Sequence, residues 1–261
     1  MKPRLAVHKF TSCDGCQLAF LNSGEELLTL SELVDITHFA EAGIVDLETS
    51  VDIAFIEGSI STAEEVIRIQ KIREHSTYLI TIGSCATAGG IQALRNIADS
   101  KDWISDIYAS PQYINSLHTS TAISHHVKVD WELWGCPVNG KQVLEAIRFL
   151  LSNATPLSKR DAECMECKRK GNVCVLVTQK QACMGPVTQA GCGSLCPTLG
   201  RGCYACYGPK DNANTSSLGK QFELFGMTKN AVAKKFLHIN NQAPAFHKAG
   251  NYFKGIKIIN E

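Results

Sequence analysis

From Arg4 to about Asn153, short apolar runs alternate with longer stretches whose apolar residues recur every three or four positions. Leu5–Phe10, Val34–Phe39, Val51–Glu57, Thr77–Gly83 and Val127–Trp134 are short and rich in β-branched or aromatic residues, and read as buried strands. Gln17–Leu30, Thr62–His75, Gly90–Ile97 and Gly140–Leu151 carry helical periodicity. In Thr62–His75, Val66, Ile69 and Ile72 share one side while Glu64, Glu65, Arg68 and Lys71 lie elsewhere. This alternation predicts an α/β domain over residues 1–154, a flavodoxin-like parallel sheet with helices on both faces.

Beyond residue 155 the pattern changes. Strand signal is scarce, and Pro186, Pro197 and several glycines keep the chain in loops and short turns. Residues 155–261 are expected to form a second, loop-rich domain with little regular structure. So little apolar periodicity leaves its core to be held largely by bound metal. Lys210–Ser217 is polar and loop-like. Leu218–Ile239 looks helical, with Phe222, Leu224, Phe225 and Met227 forming an apolar face suited to packing or subunit contact. The tail after Asn240 carries no legible pattern.

Composition narrows the class. Hydrophobic residues make up 44% and charged residues 20%, ordinary for a globular chain with a real core. A formal net charge of +1 and an aromatic content of 7% give no support to nucleic-acid or membrane-surface binding. Met1–Val7 shows neither a signal-peptide core nor a twin-arginine pair. No apolar stretch approaches the roughly 20 residues of a membrane span. The expected location is cytoplasmic.

The chain carries twelve cysteines. In a reducing cytoplasm, clustered cysteines point to metal rather than disulfides. The first region holds four of them, Cys13, Cys16, Cys85 and Cys136, each just past a predicted strand. Ligands of open parallel sheets gather outside the strand C-termini, so these thiols are expected to converge. Four thiolates suit an iron–sulfur cluster or a structural zinc. Here one close pair is joined by two singletons beside glycines, which let the backbone approach and point N–H groups at cluster sulfides. That grammar favours a cluster.

The second region holds Cys164, Cys167, Cys174, Cys183, Cys192, Cys196, Cys203 and Cys206. The intervening gaps of 2, 6, 8, 8, 3, 6 and 2 residues are nearly palindromic and suggest two related half-sites. Two zinc sites are the alternative reading. Glu57 ends a strand beside the first expected site, either as an ordinary strand-end carboxylate or serving a proton path or interface. His125-His126 reads as part of a strand start. Asn214-Thr215-Ser216 is loop, and Gly83–Gly90 lacks both the dinucleotide fingerprint and the phosphate-loop lysine.

Together these residues resemble the small subunit of NiFe hydrogenases over nearly the whole chain. Thr11-Ser12-Cys13-Asp14-Gly15-Cys16-Gln17, Gly83-Ser84-Cys85 and Gly135-Cys136-Pro137 look like that family's proximal-cluster motifs. Cys183-Met184-Gly185-Pro186-Val187-Thr188 followed by Ala190-Gly191-Cys192 is similar to the cytoplasmic branch of sulfhydrogenase-type and methanogen enzymes.

The resemblance implies three 4Fe–4S clusters. Cys13, Cys16, Cys85 and Cys136 would hold the proximal one. Cys164, Cys167, Cys174 and Cys183 would hold a second, and Cys192, Cys196, Cys203 and Cys206 a third, in a ferredoxin-like two-cluster domain with a C-terminal helix. Two-cluster ferredoxins exchange one cysteine between clusters, and the near-palindrome fits that pairing too. Exported relatives place a histidine where Cys164 stands and often carry a three-iron medial cluster. Both departures fit the cytoplasmic branch.

The implied activity is that of a hydrogenase subunit. H2 chemistry sits on a large-subunit partner, and electrons pass to a diaphorase-type flavin/iron–sulfur or other acceptor subunit, expected to be NAD(P)-linked. No catalytic residue is expected in this chain. The related subunit of respiratory NADH dehydrogenase is disfavoured, because its motif begins with adjacent cysteines whereas Asp14-Gly15 separates them in this sequence. A zinc-stabilised interaction protein and a free-standing ferredoxin-like carrier are the remaining rivals.

Overall fold

The computed structural model describes residues 2–152, 154 and 161–256. The chain divides into two compact units, Met1–Pro156 and Leu157–Glu261. The expected boundary after residue 154 borders residues 155–160, which lie outside the described ones.

The first unit is built on strands β1 (Arg4–Lys9), β2 (Asp35–Phe39), β3 (Val51–Glu57), β4 (Ser76–Ile82) and β5 (Trp131–Leu133). They pair in the order β2-β1-β3-β4-β5, every pair parallel. That is the flavodoxin-like order, with the strand sequence reversing between β1 and β3. The sheet is buried on both faces, which is why its strands read as continuous apolar runs.

Side chains alternate across it. Leu5, Val7, Phe55 and Ile80 join Phe20, Val143, Leu144 and Ile147 on one face. Ala6, Ala54, Ile56 and Leu79 join Ile69, Ile72 and Ile123 on the other. The helices are α1 (Gly15–Leu21), α2 (Glu25–Leu33), α3 (Ala63–Glu74), α4 (Gly83–Ala88), α5 (Ser100–Ile107) and α6 (Gly140–Leu151). Helix α3 starts at a capping box, in which the Thr62 side chain accepts from Glu65 N–H and Glu65 reaches back to Thr62.

Several expectations change. The single helix expected over Gln17–Leu30 is two, α1 and α2, parted at Ser23-Gly24, where Gly24 takes φ +59°. The stretch Gly90–Ile97 is a 3-10 helix over Ile91–Ile97. The strand expected at Val127–Trp134 shrinks to Trp131–Leu133 because the Asp130 carboxylate accepts Leu79 N–H at 2.9 Å, capping the ladder there. Arg73 donates to the same carboxylate at 2.6 Å. His125 ends a 3-10 turn, Ile123–His125, and His126 follows it, so the pair does not start a strand.

The second unit holds α7 (Glu163–Arg169), α8 (Val175–Thr178), α9 (Leu195–Thr198), α10 (Thr215–Leu224), α11 (Lys229–Phe236) and α12 (Pro244–Lys254). The cysteine-bearing stretch is loops and one- or two-turn helices, in keeping with its prolines and glycines. The expected helix Leu218–Ile239 starts earlier, at Thr215 inside the expected loop, because the Asn214 side chain accepts Ser217 N–H and caps it. It breaks at Gly226, φ +89°, and Thr228 caps a new helix by accepting Ala231 N–H. The tail with no legible pattern forms α12. Phe222, Phe236, Phe246 and Phe253 are buried among these last helices, with Phe236 and Phe253 stacked at 6.0 Å. This part therefore has an apolar core of its own, where the sequence pattern points to a core held largely by metal.

Candidate metal centres

In the first unit, the cysteines stand at the C-terminal edge of the sheet. Cys13 and Cys16 lie on the turn from β1 into α1, Cys85 lies in α4 directly after β4, and Cys136 follows β5. The parallel strands thus bring together residues more than a hundred positions apart. Their thiols sit close enough to act on one another. Burial pushes the Cys85 thiol up to about 12, and the neighbouring Cys136 and Cys13 add to it. Cys16 is raised by burial, by Glu57 and by Cys85 and Cys136, and Cys136 by burial and Cys13. Cys16, Cys85 and Cys136 held this way resist ionisation unless cationic iron or another metal accepts them, and with Cys13 beside them the donor set fits a thiolate-bound metal group.

Backbone geometry makes the room. Gly83 adopts φ +84°, and a Cβ there would collide with Cys16 Sγ. The loop also supplies a donor, since Val138 N–H reaches Cys16 Sγ at 3.4 Å.

Glu57 closes this arrangement. Its carboxylate is buried at the end of β3 and accepts Cys16 N–H at 2.8 Å and Gln17 N–H at 3.2 Å. It therefore holds the turn that presents Cys16. Thr11, at the root of the same turn, donates to Glu65 Oε1 at 2.9 Å and pairs with Ser59 through the backbone. Burial raises Glu57 above the usual carboxylate range while those amides oppose the shift.

In the second unit, Cys164, Cys167, Cys174 and Cys183 line one hollow of about 30 Å³, with Val175, Gly185 and Pro186. Cys164 and Cys167 reach it from one face of α7, three residues apart. Burial and the thiols of Cys183, Cys174 and Cys167 push Cys164 up to about 11. The remaining four stand nearby in sequence. Cys192 is pushed up to about 12 by burial, with Glu163 and Cys206 adding, and Cys203 is raised by burial, Cys183 and Cys206. Cys196 stands half-buried on α9. The two groups touch where Cys203 N–H donates to Cys183 Sγ.

Sequence reading passes over Glu163 and Glu166. Glu163 is 1% exposed, and burial together with Glu166 pushes it up to about 7. Glu166 Oε2 accepts Gly193 N–H at 2.7 Å and so braces the loop after Cys192. A signal for them exists, since two carboxylates beside the Cys164–Cys167 pair are unusual company for thiolates. A larger hollow of about 360 Å³, lined by His8, Arg68, Lys71 and His75 among others, contains none of the twelve cysteines.

A family model described as NADH ubiquinone oxidoreductase, 20 Kd subunit, matches residues 13–150, which span the first four cysteines. The chain belongs to this family. Its relatives include hydrogenase subunits. A relative from Pyrococcus furiosus named sulfhydrogenase 2 subunit delta is 32% identical over 82% of this chain and 90% of its own length. A vhu subunit of the F420-non-reducing hydrogenase of Methanocaldococcus jannaschii is 27% identical, covering 80% of this chain and 83% of that one. A solved NAD+-reducing NiFe-hydrogenase in the H2-reduced state shares the fold at TM-score 0.55 and 26% identity, over 60% of this chain and 95% of that chain. The resemblance to NiFe hydrogenase small subunits read from the cysteine motifs is therefore that of a true family member, with an α/β sheet unit followed by cysteine-rich loops. No helix among the described residues is long and apolar enough to cross a membrane.

Proposed function

We propose that this family member relays electrons through three 4Fe–4S clusters in a cytoplasmic NiFe hydrogenase. The relay runs between the nickel–iron site of a large subunit and an acceptor subunit of diaphorase type, NAD(P)-linked. The observation that carries this reading is the convergence of Cys13, Cys16, Cys85 and Cys136 beyond the ends of parallel strands. Eight more cysteines grouped in the second unit support it.

When bound, such clusters supply one-electron redox chemistry at potentials set by ligation, burial and hydrogen bonds to sulfur. This chain's residues do the holding and the tuning. Cys13, Cys16, Cys85 and Cys136 hold the proximal cluster, and Glu57 fixes the turn between the first two. Cys164, Cys167, Cys174 and Cys183 hold the second, around their shared hollow. Cys192, Cys196, Cys203 and Cys206 hold the third. Amides of Val138, Cys203 and Ala205 donate to Sγ of Cys16, Cys183 and Cys203 respectively. Each such donor offsets part of the cost of burying negative charge on sulfur, and so favours the reduced state. NAD(P) as the final acceptor is supported by the name of the solved NAD+-reducing neighbour.

The test is H2-dependent dye reduction by the chain purified anaerobically with its co-purifying subunits, alongside iron, nickel and zinc analysis. About twelve irons per chain, nickel in the complex and dye reduction are expected. Adding NAD(P) in place of dye tests the acceptor. Iron without nickel in an intact complex would favour the respiratory relative or a carrier, and colourless, zinc-loaded protein would end the redox reading.

A further inference from the structure

Glu163 is the first residue of α7 and forms part of the wall of the hollow lined by Cys164, Cys167, Cys174 and Cys183. Its carboxylate also lies toward the other thiol group. One ligand atom each from Glu163, Glu166 and Cys192 falls within 4.8 Å of the others. The two acids are not equivalent. Glu166 is engaged, accepting Gly193 N–H at 2.7 Å. Glu163 is 1% exposed, and among the described residues its carboxylate oxygens accept no N–H or O–H; their polar neighbours are the Cys192 thiol and Glu166.

A buried carboxylate that accepts no N–H or O–H is costly, and a protein retains one where something else occupies its oxygens. Iron accepts carboxylate oxygen as well as thiolate sulfur, so a carboxylate beside a cluster ligand is chemically competent to take its place.

We propose that Glu163 is an alternative oxygen ligand to the iron that Cys192 holds in the third cluster. When the Cys192 thiolate is missing or displaced, one Glu163 oxygen bonds that iron as the Fe–S bond to Cys192 is lost. The exchange replaces one anionic ligand by another and transfers no electron. This inference rests on the three-cluster reading above, and its test separates the two.

The test uses the intact anaerobic complex in four forms: wild type, Glu163→Gln, Cys192→Ala and the double variant. Iron per chain and the EPR spectrum of the oxidised protein are read for each. Wild type and Glu163→Gln are expected to hold about twelve irons. Cys192→Ala keeps that iron and shows no three-iron signal, and Mössbauer spectra show one iron site of raised isomer shift. The double variant loses about one iron with a new three-iron signal, or about four with the whole cluster. Loss of iron in Cys192→Ala equal to that in the double variant would overturn the assignment. So would full retention in the double variant, which would place the replacement ligand elsewhere. Wild type with well under twelve irons would overturn the cluster reading and this assignment with it.

Discussion

The backbone N–H of Cys203 donates to Sγ of Cys183 over 3.2 Å, joining the two thiol groups of the second unit at one point. Cys183 belongs to the hollow also lined by Cys164, Cys167 and Cys174, whereas Cys203 lies beside Cys206. A hydrogen bond to a thiolate sulfur shifts the potential of the cluster it ligates. Cys183→Ala is therefore expected to disturb the EPR signals of both second-unit clusters. Cys174→Ala, which leaves the Cys203–Cys183 hydrogen bond in place, is expected to disturb one. Equal disturbance by the two variants would contradict the special place of Cys183 at the junction.

Glu57 satisfies two buried amides at the Cys16 turn. Glu57→Ala leaves both without an acceptor, at about 1–3 kcal/mol each. Glu57→Gln keeps one acceptor oxygen and is expected to cost less. The readout is the urea midpoint for loss of visible absorbance in the anaerobic complex. The alanine variant should lose proximal-cluster iron first, and an unchanged midpoint would remove Glu57 from this positioning role.

Gly83→Ala combines a positive φ with a Cβ directed at Cys16 Sγ. The backbone penalty alone is about 1–2 kcal/mol, and the steric conflict adds to it. Because the clash is confined to the first unit, the expected result is loss of about four irons with the second-unit signals intact. Dye reduction should fall to background. Full iron retention with normal activity would contradict the close approach.

His8 and His38 stack at 4.7 Å between β1 and β2, and burial with His38 and Arg68 nearby holds His8 down to about 3. An unfolded histidine titrates near 6.5, so between about 3 and 6.5 the unfolded chain binds a proton that native His8 refuses. Stability is then greatest above about pH 6.5 and falls on acidification, by about 2 kcal/mol at about pH 5. Urea midpoints at about pH 5 and about pH 7 measure it. His8→Leu should flatten the difference, and a wild-type midpoint independent of pH would refute it.

Much of this architecture is legible without coordinates. Val51–Glu57 and Gly140–Leu151 match the structure residue for residue, because a sheet buried on both faces writes an unbroken apolar run and an amphipathic helix writes its own period. The length of Trp131–Leu133 is not legible, because Asp130's contact with Leu79 is a long-range bond that no local pattern carries. Helix α12 escapes for a related reason: its apolar face, Phe246, Ala249 and Phe253, gains meaning only against Phe236.

The sequence by itself determined the alternation of strand and helix, the cysteine inventory and the family, since periodicity and spacing are local properties of the chain. Tertiary structure alone decided which thiols face which. Cys13 and Cys136 become neighbours because β1 and β5 end on the same edge of one parallel sheet. It also decided that Glu57 braces the Cys16 turn and that Glu163 is buried beside Cys192 with no N–H or O–H donor among the described residues. Burial and hydrogen-bond satisfaction depend on what the rest of the chain brings to a side chain, and no sequence position records that alone.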